Sequence, residues 1–331
     1  MAALIYIMKF SFLKSTNPYL NLAIEEYLLK YSNEEFFLLW QNEPTVVIGK
    51  NQNAFAEINL EYAKKNGIHI ARRITGGGAV YHDFGNLNYS FISNKEGSDN
   101  IDFERFSRPV IEAICDMGVR AELSGRNDLI VEDKKISGNA QTHFNNRVLH
   151  HGTLLFDSDL DILSSSLKVN NKKIQSKAIK STRARVENIK SFLKDNYTIF
   201  DFTQKIKLHI LSKYNAAEVN ISENELISTL KNRNASSEWI FPDRDYVSCF
   251  SLKANERYNF GTVSILFNMK NEIITDAKIE GDFFGTSDIC VLESIIKNSS
   301  ISELETNLSD IKISDYIFGM TNEEFINMIK R

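Results

Sequence analysis

Apolar and polar residues alternate with two different periods in the first half of the chain. Between Pro18 and Tyr31 the apolar side chains recur at helical spacing, and Asn17 before Pro18 is a typical helix start. Glu25 and Glu26 fall on other faces of this helix, where we expect solvated charges. Further helices are predicted at 57–66 and 101–117, and short apolar or β-branched runs predict strands at 4–12, 36–40, 45–50, 68–74, 86–92 and 148–156. This succession predicts an α+β domain with a mixed sheet.

The pattern changes twice in the second half. Residues 169–182 contain four lysines and few apolar residues, which predicts a long surface loop of a kind that often has a function. Short helices are expected on both sides of this loop. Between Ser236 and Asp245 an apolar run gives way to a charged stretch, and we place a domain boundary there. A predicted hairpin at 257–267 and 272–280 and several short helices follow. The sequence therefore predicts a large mixed-sheet domain at 1–240 and a small α+β domain at 246–331.

Composition narrows the class of protein. The chain has 331 residues, 43% of them hydrophobic and 25% charged, with a net charge of −4. Such a balance is typical of a globular protein and gives no electrostatic footprint for nucleic acid or an anionic membrane. The apolar start, Met1 to Phe10, lacks the basic region and cleavage site of a signal peptide, so we expect a strand there. Three well-separated cysteines predict a reducing cytoplasm, with Cys115 as a core thiol.

The most unusual stretch of the chain runs from Arg72 to Asp83 and contains three consecutive glycines, Gly76 to Gly78. Glycines without a Cβ let the backbone take positive φ and approach a ligand closely, and successive N–H groups can form a nest for an anion. Arg73 can add a planar fork of donors. The stretch predicts an anion cradle at the end of a buried strand, although a glycine-rich hairpin with solvated arginines would read similarly.

Other chemistries lack their signatures. The six histidines have no metal-binding spacing, and the neighbours His150 and His151 must point to opposite faces of a strand. The sequence has no phosphate-binding GxxxxGK[ST] loop, no dinucleotide-binding GxGxxG turn and no local motif for a serine or cysteine nucleophile. What remains is the glycine cradle, Arg73 and Lys135 in a Lys-Ile-Ser-Gly strand. Fixed cations and backbone donors of this kind suit an enzyme that handles anions.

Several blocks, taken together and in order, resemble the lipoate–protein ligases that activate free lipoate with ATP. The match runs nearly from end to end, and the Arg72–Asp83 block is its most specific part. The blocks are Asn17–Leu28, Leu39–Asn42, Pro44–Asn53, Arg72–Asp83, Gly125–Leu129, Lys135–Gly138, His150–Leu155, Ser181–Val186 and Gly281–Gly285. The last block belongs to the small C-terminal domain of this family. The resemblance implies a catalytic domain of the biotin/lipoate ligase type with a small accessory domain.

The resemblance also implies the reaction and its residues. Lipoate and ATP would give lipoyl-AMP, and the lipoyl group would pass to a lysine of a carrier, either an E2 subunit of a 2-oxoacid dehydrogenase or the glycine-cleavage H protein. Lys135 would be the catalytic cation, and the loop at 169–182 would close over the adenylate. The implied ATP contacts are Arg73, Gly76, Gly77, Gly78, Ala79, Val80, Tyr81, Asn127, Asp128 and Lys135, with Mg²⁺ at Asp128. The implied lipoate contacts are Leu20, Trp40, Arg73, His82, Lys135 and His151.

Two other functions stay open at this stage. One is an ATP-independent transferase that moves lipoyl or octanoyl groups between carrier proteins. The other is a non-catalytic protein that binds lipoate or a carrier. The glycine cradle and the C-terminal block favour the ligase. We expect a monomer with no nucleic-acid or membrane partner, and no residue in the motifs distinguishes lipoate from octanoate.

Overall fold

The computed structural model describes residues 8–95, 101–168, 185–242 and 249–330. Three parts of the predictions lie outside these ranges: the loop at 169–182, the first four residues of the Ser181–Val186 block, and residues 243–245 of the predicted boundary. Of the first predicted strand, the described part begins at Lys9. Within the described ranges no helix is both long and apolar enough to cross a membrane.

A large eight-stranded sheet forms the centre of the molecule, in the order β11-β1-β2-β6-β10-β9-β8-β7. Its strands are β1 (Lys9–Phe12), β2 (Phe36–Trp40), β6 (Asn86–Asn94), β7 (Glu122–Ser124), β8 (Asp128–Val131), β9 (Lys134–Phe144), β10 (Arg147–Leu155) and β11 (Ala217–Glu218). The strand β1 pairs in parallel with β2 and β11, whereas the other neighbours are antiparallel. The predicted mixed sheet is therefore confirmed.

A second, three-stranded sheet lies across one face of the large one. It has the order β4-β3-β5, with β3 (Thr45–Ile48) parallel to β4 (His69–Arg72) and antiparallel to β5 (Val80–His82). Val47 of this sheet shares an apolar cluster with Leu38 and Trp40 of the large sheet. The short β5 places the glycine stretch, which precedes it, at the edge of the space between the two sheets.

Helices cover the remaining surfaces of the two sheets. They are α1 (Pro18–Tyr31), α2 (Ala54–Glu57), α3 (Leu60–Lys65), α4 (Phe103–Asp116), α5 (Leu160–Ser166), α6 (Ile199–Tyr214), α7 (Glu225–Ala235) and α8 (Ser237–Ile240), with a 3-10 turn at Ile189–Phe192. The predicted start of α1 is confirmed, because Asn17 caps the helix by accepting from the Leu20 N–H. The predicted helix at 57–66 is two helices, because Asn53 and Asn59 each cap a separate one.

Two sequence expectations about burial are wrong. Glu25 and Glu26 are each only 1% exposed, although their positions in the helical pattern suggested solvent. Glu26 forms ion pairs with Lys30 and Arg233, and the latter belongs to α7, which covers α1. Cys115, expected in the core, is exposed. Both errors arise because burial of a helix face depends on which other elements pack against it.

The C-terminal residues fold around a core of their own. A sheet of β12 (Leu252–Tyr258), β13 (Gly261–Lys270) and β14 (Ile273–Gly281) packs against short helices. These are α9 (Ile289–Ile296), α10 (Leu304–Asn307), α11 (Ile313–Tyr316) and α12 (Asn322–Lys330). The predicted hairpin is present, with β12 as an additional strand, and the small α+β architecture is as expected. The turn after β14 reaches the glycine stretch of the large domain.

Candidate active site

A cavity of about 90 Å³ lies between the two sheets. Its floor is a row of neighbours across four strands of the large sheet, Trp40, Asn88, Thr153 and Gly138. Side chains of the small sheet, among them Val80 and His82, close it from the other side. Ten of the residues predicted for the site line this cavity: Trp40, Arg73, Gly77, Gly78, Ala79, Val80, His82, Asn127, Lys135 and His151. The glycine stretch and Lys135 meet in one space, although 57 positions separate Gly78 from Lys135 in the chain.

The structure does not place four predicted site residues in this cavity lining. Tyr81 and Asp128 line an adjoining space of about 310 Å³, which shares Lys135 and Gly138 with the first. Gly76 is packed against the C-terminal turn. Leu20 packs on the apolar cluster around Trp40, while Leu22 of the same helix lines the cavity. Leu22 was not among the predicted site residues, and packing rather than the helical pattern places it at the cavity wall.

Lys135 stands between the two spaces. Its Nζ forms an ion pair with Asp128 Oδ1 at 2.7 Å, and both side chains are about one-third exposed, at 37% and 35%. A Cβ at Gly138 would come within 3.2 Å of that Nζ, so the glycine leaves room for the lysine to fold over the strand. The backbone of Lys135 also pairs with the described segment that begins at residue 185, because its carbonyl accepts from the Glu187 N–H at 2.9 Å. The ammonium is thus held at the cavity and still reachable.

The Arg73 side chain is buried, and the residue is only 5% exposed. Its Nε donates to Thr75 Oγ1, its Nη1 to the Val47 carbonyl and its Nη2 to the carbonyls of Gly76 and Gly78, at 2.8 to 3.2 Å. Burial lowers the pKa of Arg73 to about 10, against the opposing charge of Glu25. Four of its five N–H donors are therefore engaged. This corrects the expectation of a free fork for phosphate, because the guanidinium instead fixes the shape of the glycine stretch.

The glycine stretch also contacts the C-terminal domain. Gly77 donates its N–H to the Phe283 carbonyl at 3.0 Å, so this donor of the expected anion nest already has a partner. Gly77 has φ of +90°, and a Cβ there would lie 2.6 Å from the Phe284 ring, so only glycine fits. Phe284 lines the cavity, and the Arg126 guanidinium lies 4.3 Å from its ring centre. The C-terminal domain therefore completes one wall of the site.

A buried hydrogen-bonded chain supports this arrangement and was missed from the sequence. His151 Nδ1 lies 3.0 Å from Glu25 Oε1, and its Nε2 lies 2.9 Å from Thr75 Oγ1. Because a carboxylate only accepts, His151 Nδ1 donates to Glu25, and Nε2 of the neutral ring then accepts from the Thr75 hydroxyl. The chain links α1 to the glycine stretch. The one available signal was two adjacent glutamates inside an otherwise apolar helix, which we interpreted as solvated charge.

Two polar side chains of the cavity have groups without a partner. His82 Nε2 and Asn88 Nδ2 are buried, and neither forms a hydrogen bond with the described residues. Burial, together with the nearby charges of Arg73 and His151, lowers the pKa of His82 to about 3, so its ring is neutral at physiological pH. Asn88 was not among the predicted residues, because an asparagine in an alternating strand carries no signal of its own.

A metal site is not evident from the described side chains. Among them no group of three or more histidines, cysteines, aspartates and glutamates is arranged to hold a metal ion. Asp128, the predicted Mg²⁺ ligand, is instead paired with Lys135. The described residues therefore offer no cage of their own for Mg²⁺, and the metal role of Asp128 stays a prediction.

A cavity between two sheets, with Lys135 and the glycine stretch on its lining, can enclose a small ligand that has an apolar part and an anionic group. The chain belongs to the lipoyl protein ligase family. Residues 17–211 match the model of the lipoyl protein ligase A/B catalytic domain, and residues 248–329 match that of the bacterial lipoate protein ligase C-terminus.

Individual relatives extend over almost the whole chain. It is 41% identical to the lipoate-protein ligase LplJ of Bacillus subtilis over 95% of this chain and 97% of that protein. Its fold is similar to the crystal structure of P. falciparum LipL1 in complex with lipoate, with a TM-score of 0.79, 25% identity and 98% of each chain covered. A lipoate-protein ligase A bound with ATP has a TM-score of 0.58 and 29% identity, over 71% of this chain and 98% of that one.

Proposed function

We propose that this chain is an ATP-dependent lipoate–protein ligase that forms lipoyl-AMP and then transfers the lipoyl group to a lysine of a carrier domain. The observation that carries the proposal is the cavity in which Lys135 and the glycine stretch face one apolar space. Its mostly apolar walls suit an acyl chain, and its one reachable ammonium lies where a carboxylate and a phosphate would meet. The relatives bound to lipoate and to ATP support the same two ligands.

In the first step a carboxylate oxygen of lipoate attacks the α-phosphorus of ATP, the new O–P bond forms, and pyrophosphate leaves. Negative charge builds on the α-phosphate oxygens. Lys135 holds both anions and stabilises that charge, which is the kind of fixed electrostatic contribution that accelerates such reactions most. Arg73 acts mainly by holding the carbonyls of Gly76 and Gly78, so that the backbone of the stretch keeps its shape.

In the second step the neutral amine of the carrier lysine attacks the acyl carbon. The amide bond forms, the acyl–oxygen bond to AMP breaks, and the amine proton is lost. Lys135 is not the acylated lysine, because a clamp must stay a cation while a nucleophilic amine must be neutral. The adjoining space lined by Tyr81, Asp128 and Leu163 is the position that we assign to the nucleoside. Gly76, Gly77, Gly78, Ala79, Val80 and Asn127 remain our proposed contacts for ATP.

ATP would enter as its magnesium complex. Mg²⁺ commonly keeps several waters and binds substrate phosphates through one or two carboxylates, and Asp128 is the only predicted carboxylate at the site. For the whole protein we propose a catalytic unit at 1–240, an accessory unit at 246–331, a cytoplasmic monomer, and carriers of the E2 or H-protein type.

The test is exchange of labelled pyrophosphate into ATP in the presence of free lipoate. We expect lipoate-dependent exchange, and a mass increase of one lipoyl group on an added apo lipoyl domain. An ATP-independent transferase would lipoylate only from a charged carrier and would show no exchange. A binding protein would retain lipoate without either activity. Either result would refute the proposed ligase.

A further inference from the structure

The deep end of the cavity contains a donor without an acceptor. The His82 ring is 3% exposed and lines the cavity, and its Nε2 has no hydrogen-bond partner among the described residues. Buried polar groups are nearly always paired, because an unpaired one loses its hydration without compensation. An unpaired hydrogen-bonding group at the wall of a cavity therefore indicates that the ligand supplies its partner.

The neighbours of His82 fix which ring nitrogen carries the proton. Asn21 Nδ2 faces three acceptors, the carbonyls of Ser15 and Gln41 and Asn42 Oδ1, at 2.9 to 3.0 Å. Its two N–H donors are shared among them, so its orientation is set. Asn42 must then present its Nδ2 to His82 Nδ1, 3.0 Å away. With Nδ1 as an acceptor, the neutral ring has its proton on Nε2. His82 is thus a hydrogen-bond donor at the cavity wall, without an acceptor among the described residues.

Asn88 provides a second donor beside it. The side chain is 1% exposed, its Oδ1 accepts from Asn86 Nδ2 at 2.9 Å, and its Nδ2 has no partner among the described residues. Trp40 lies next to both donors, opposite Asn88 on β2 and with its ring 5.8 Å from that of His82. The Trp40 N–H itself is already paired with Ser90 Oγ at 2.8 Å.

These donors lie at the far end of the cavity from Lys135. The Lys135 ammonium lies beside Gly138. Gly138 belongs to the same row of the large sheet as Asn88, and the two residues are two strands apart. Two strand spacings amount to roughly 10 Å. A medium-chain acid with its carboxylate at Lys135 would therefore bring its distal end to His82 and Asn88.

We propose that His82 and Asn88 donate hydrogen bonds to the ring sulfurs of a cyclic disulfide and thereby select lipoate over octanoate. This inference rests on the proposed function. Divalent sulfur is a weak acceptor, whereas the terminal methyl of octanoate accepts nothing and leaves both donors buried and unpaired. A site whose buried polar groups bond to the ligand strongly rejects an analogue that lacks the matching group. An apolar site distinguishes ligands of different chain length less strongly.

The experiment measures the affinity of the full-length protein for lipoate and for octanoate by calorimetry without ATP. The wild type should bind lipoate about tenfold more tightly, as expected when one polar interaction distinguishes two ligands. His82→Phe and Asn88→Leu should each reduce this ratio about threefold or more, mainly by weakening lipoate. The control is Trp40→Phe, which removes volume and a donor that is already paired. It should weaken both acids by a similar factor and keep the ratio.

Each other outcome contradicts the inference. Equal affinity of the wild type for the two acids needs no variant to fold and overturns it directly. Equal loss of both acids in His82→Phe and Asn88→Leu would mean that the donors hold the carboxylate. An unchanged ratio in both variants would mean that they hold only water. Failure of the wild type to bind either acid would instead refute the proposed function, and the inference with it.

Discussion

Two kinds of cation lie beside the cavity, and they differ in what their donors contact. Arg72 and Arg73 are 3% and 5% exposed, and their guanidinium groups donate to backbone carbonyls. Arg72 alone reaches the carbonyls of Gly49, Lys50, Gln52, Trp239 and Ile240. Lys135 has one carboxylate partner and is about one-third exposed. The arginines therefore hold three segments of chain together, while the lysine is available to a ligand.

This difference changes how a basic glycine-rich motif should be interpreted. The sequence suggests that an arginine beside three glycines grips an anion, but here the planar guanidinium shapes the loop that faces the anion. Arg suits that role because its five donors lie in a fixed plane and it stays charged when buried. A lysine, with a compact charge on a flexible stem, suits contact with a moving substrate. The predictions that follow test this division.

The largest effect is expected from Lys135→Ala. Loss of a fixed charge that stabilises the transition state should slow lipoate-dependent ATP–pyrophosphate exchange about 10²- to 10³-fold. The free energy of unfolding should change by no more than about 0.5 kcal/mol, because a partly exposed ion pair contributes little. The matched control is Lys134→Ala, one position earlier on β9, where the side chain points to the opposite face. Equal exchange rates in both variants would show that Lys135 does not take part in the reaction.

A loss of stability is expected from Arg72→Met. The substitution leaves five carbonyls on two segments, 49–52 and 239–240, without their donor, which should lower the free energy of unfolding by about 3 kcal/mol in urea denaturation. Arg108→Met is the control, because Arg108 is an exposed partner of Glu104 on α4 and should cost less than about 0.5 kcal/mol. If the two variants were equally stable, the buried guanidinium would not be holding these segments together.

The smallest effect concerns the contact between the two domains. Burial, followed by the charges of Asp282 and Glu280, raises the pKa of Glu57 from 4.5 to about 7. The folded state then keeps a proton that the unfolded state releases above 4.5. Stability from this group is therefore complete below pH 4.5 and is lost as the pH rises through 7.

Glu57→Gln removes that titration, so the fall in melting temperature between pH 5 and pH 8 should be smaller than in the wild type. The control is Glu61→Gln on α3, whose side chain is exposed and should leave the pH dependence unchanged. A wild-type pH dependence that persists in Glu57→Gln would assign it to other groups.

Much of the fold could be predicted because its signals are local. The cap of Asn17 and the apolar runs of β2 and β3 define these elements without reference to the rest of the chain. The capping box of the last helix is also present, with Glu324 N–H donating to Thr321 Oγ1 and Thr321 N–H to Glu324 Oε2. The sequence did not predict the third C-terminal strand, β12, because its residues alternate only between exposed and partly buried positions. This strand is defined by its pairing with β13.

The sequence by itself determined most of the elements and the family, and it singled out Lys135 and the glycine stretch as candidate site residues. Tertiary structure decided what each group does there. Only packing buries Glu25 beside His151, uses the donors of Arg73 for carbonyls, and leaves His82 and Asn88 unpaired. The physical reason is that a motif specifies which donors and charges are present, whereas their partners come from segments distant in sequence. In a buried site, the partners decide whether a charge supports the fold or remains for a ligand.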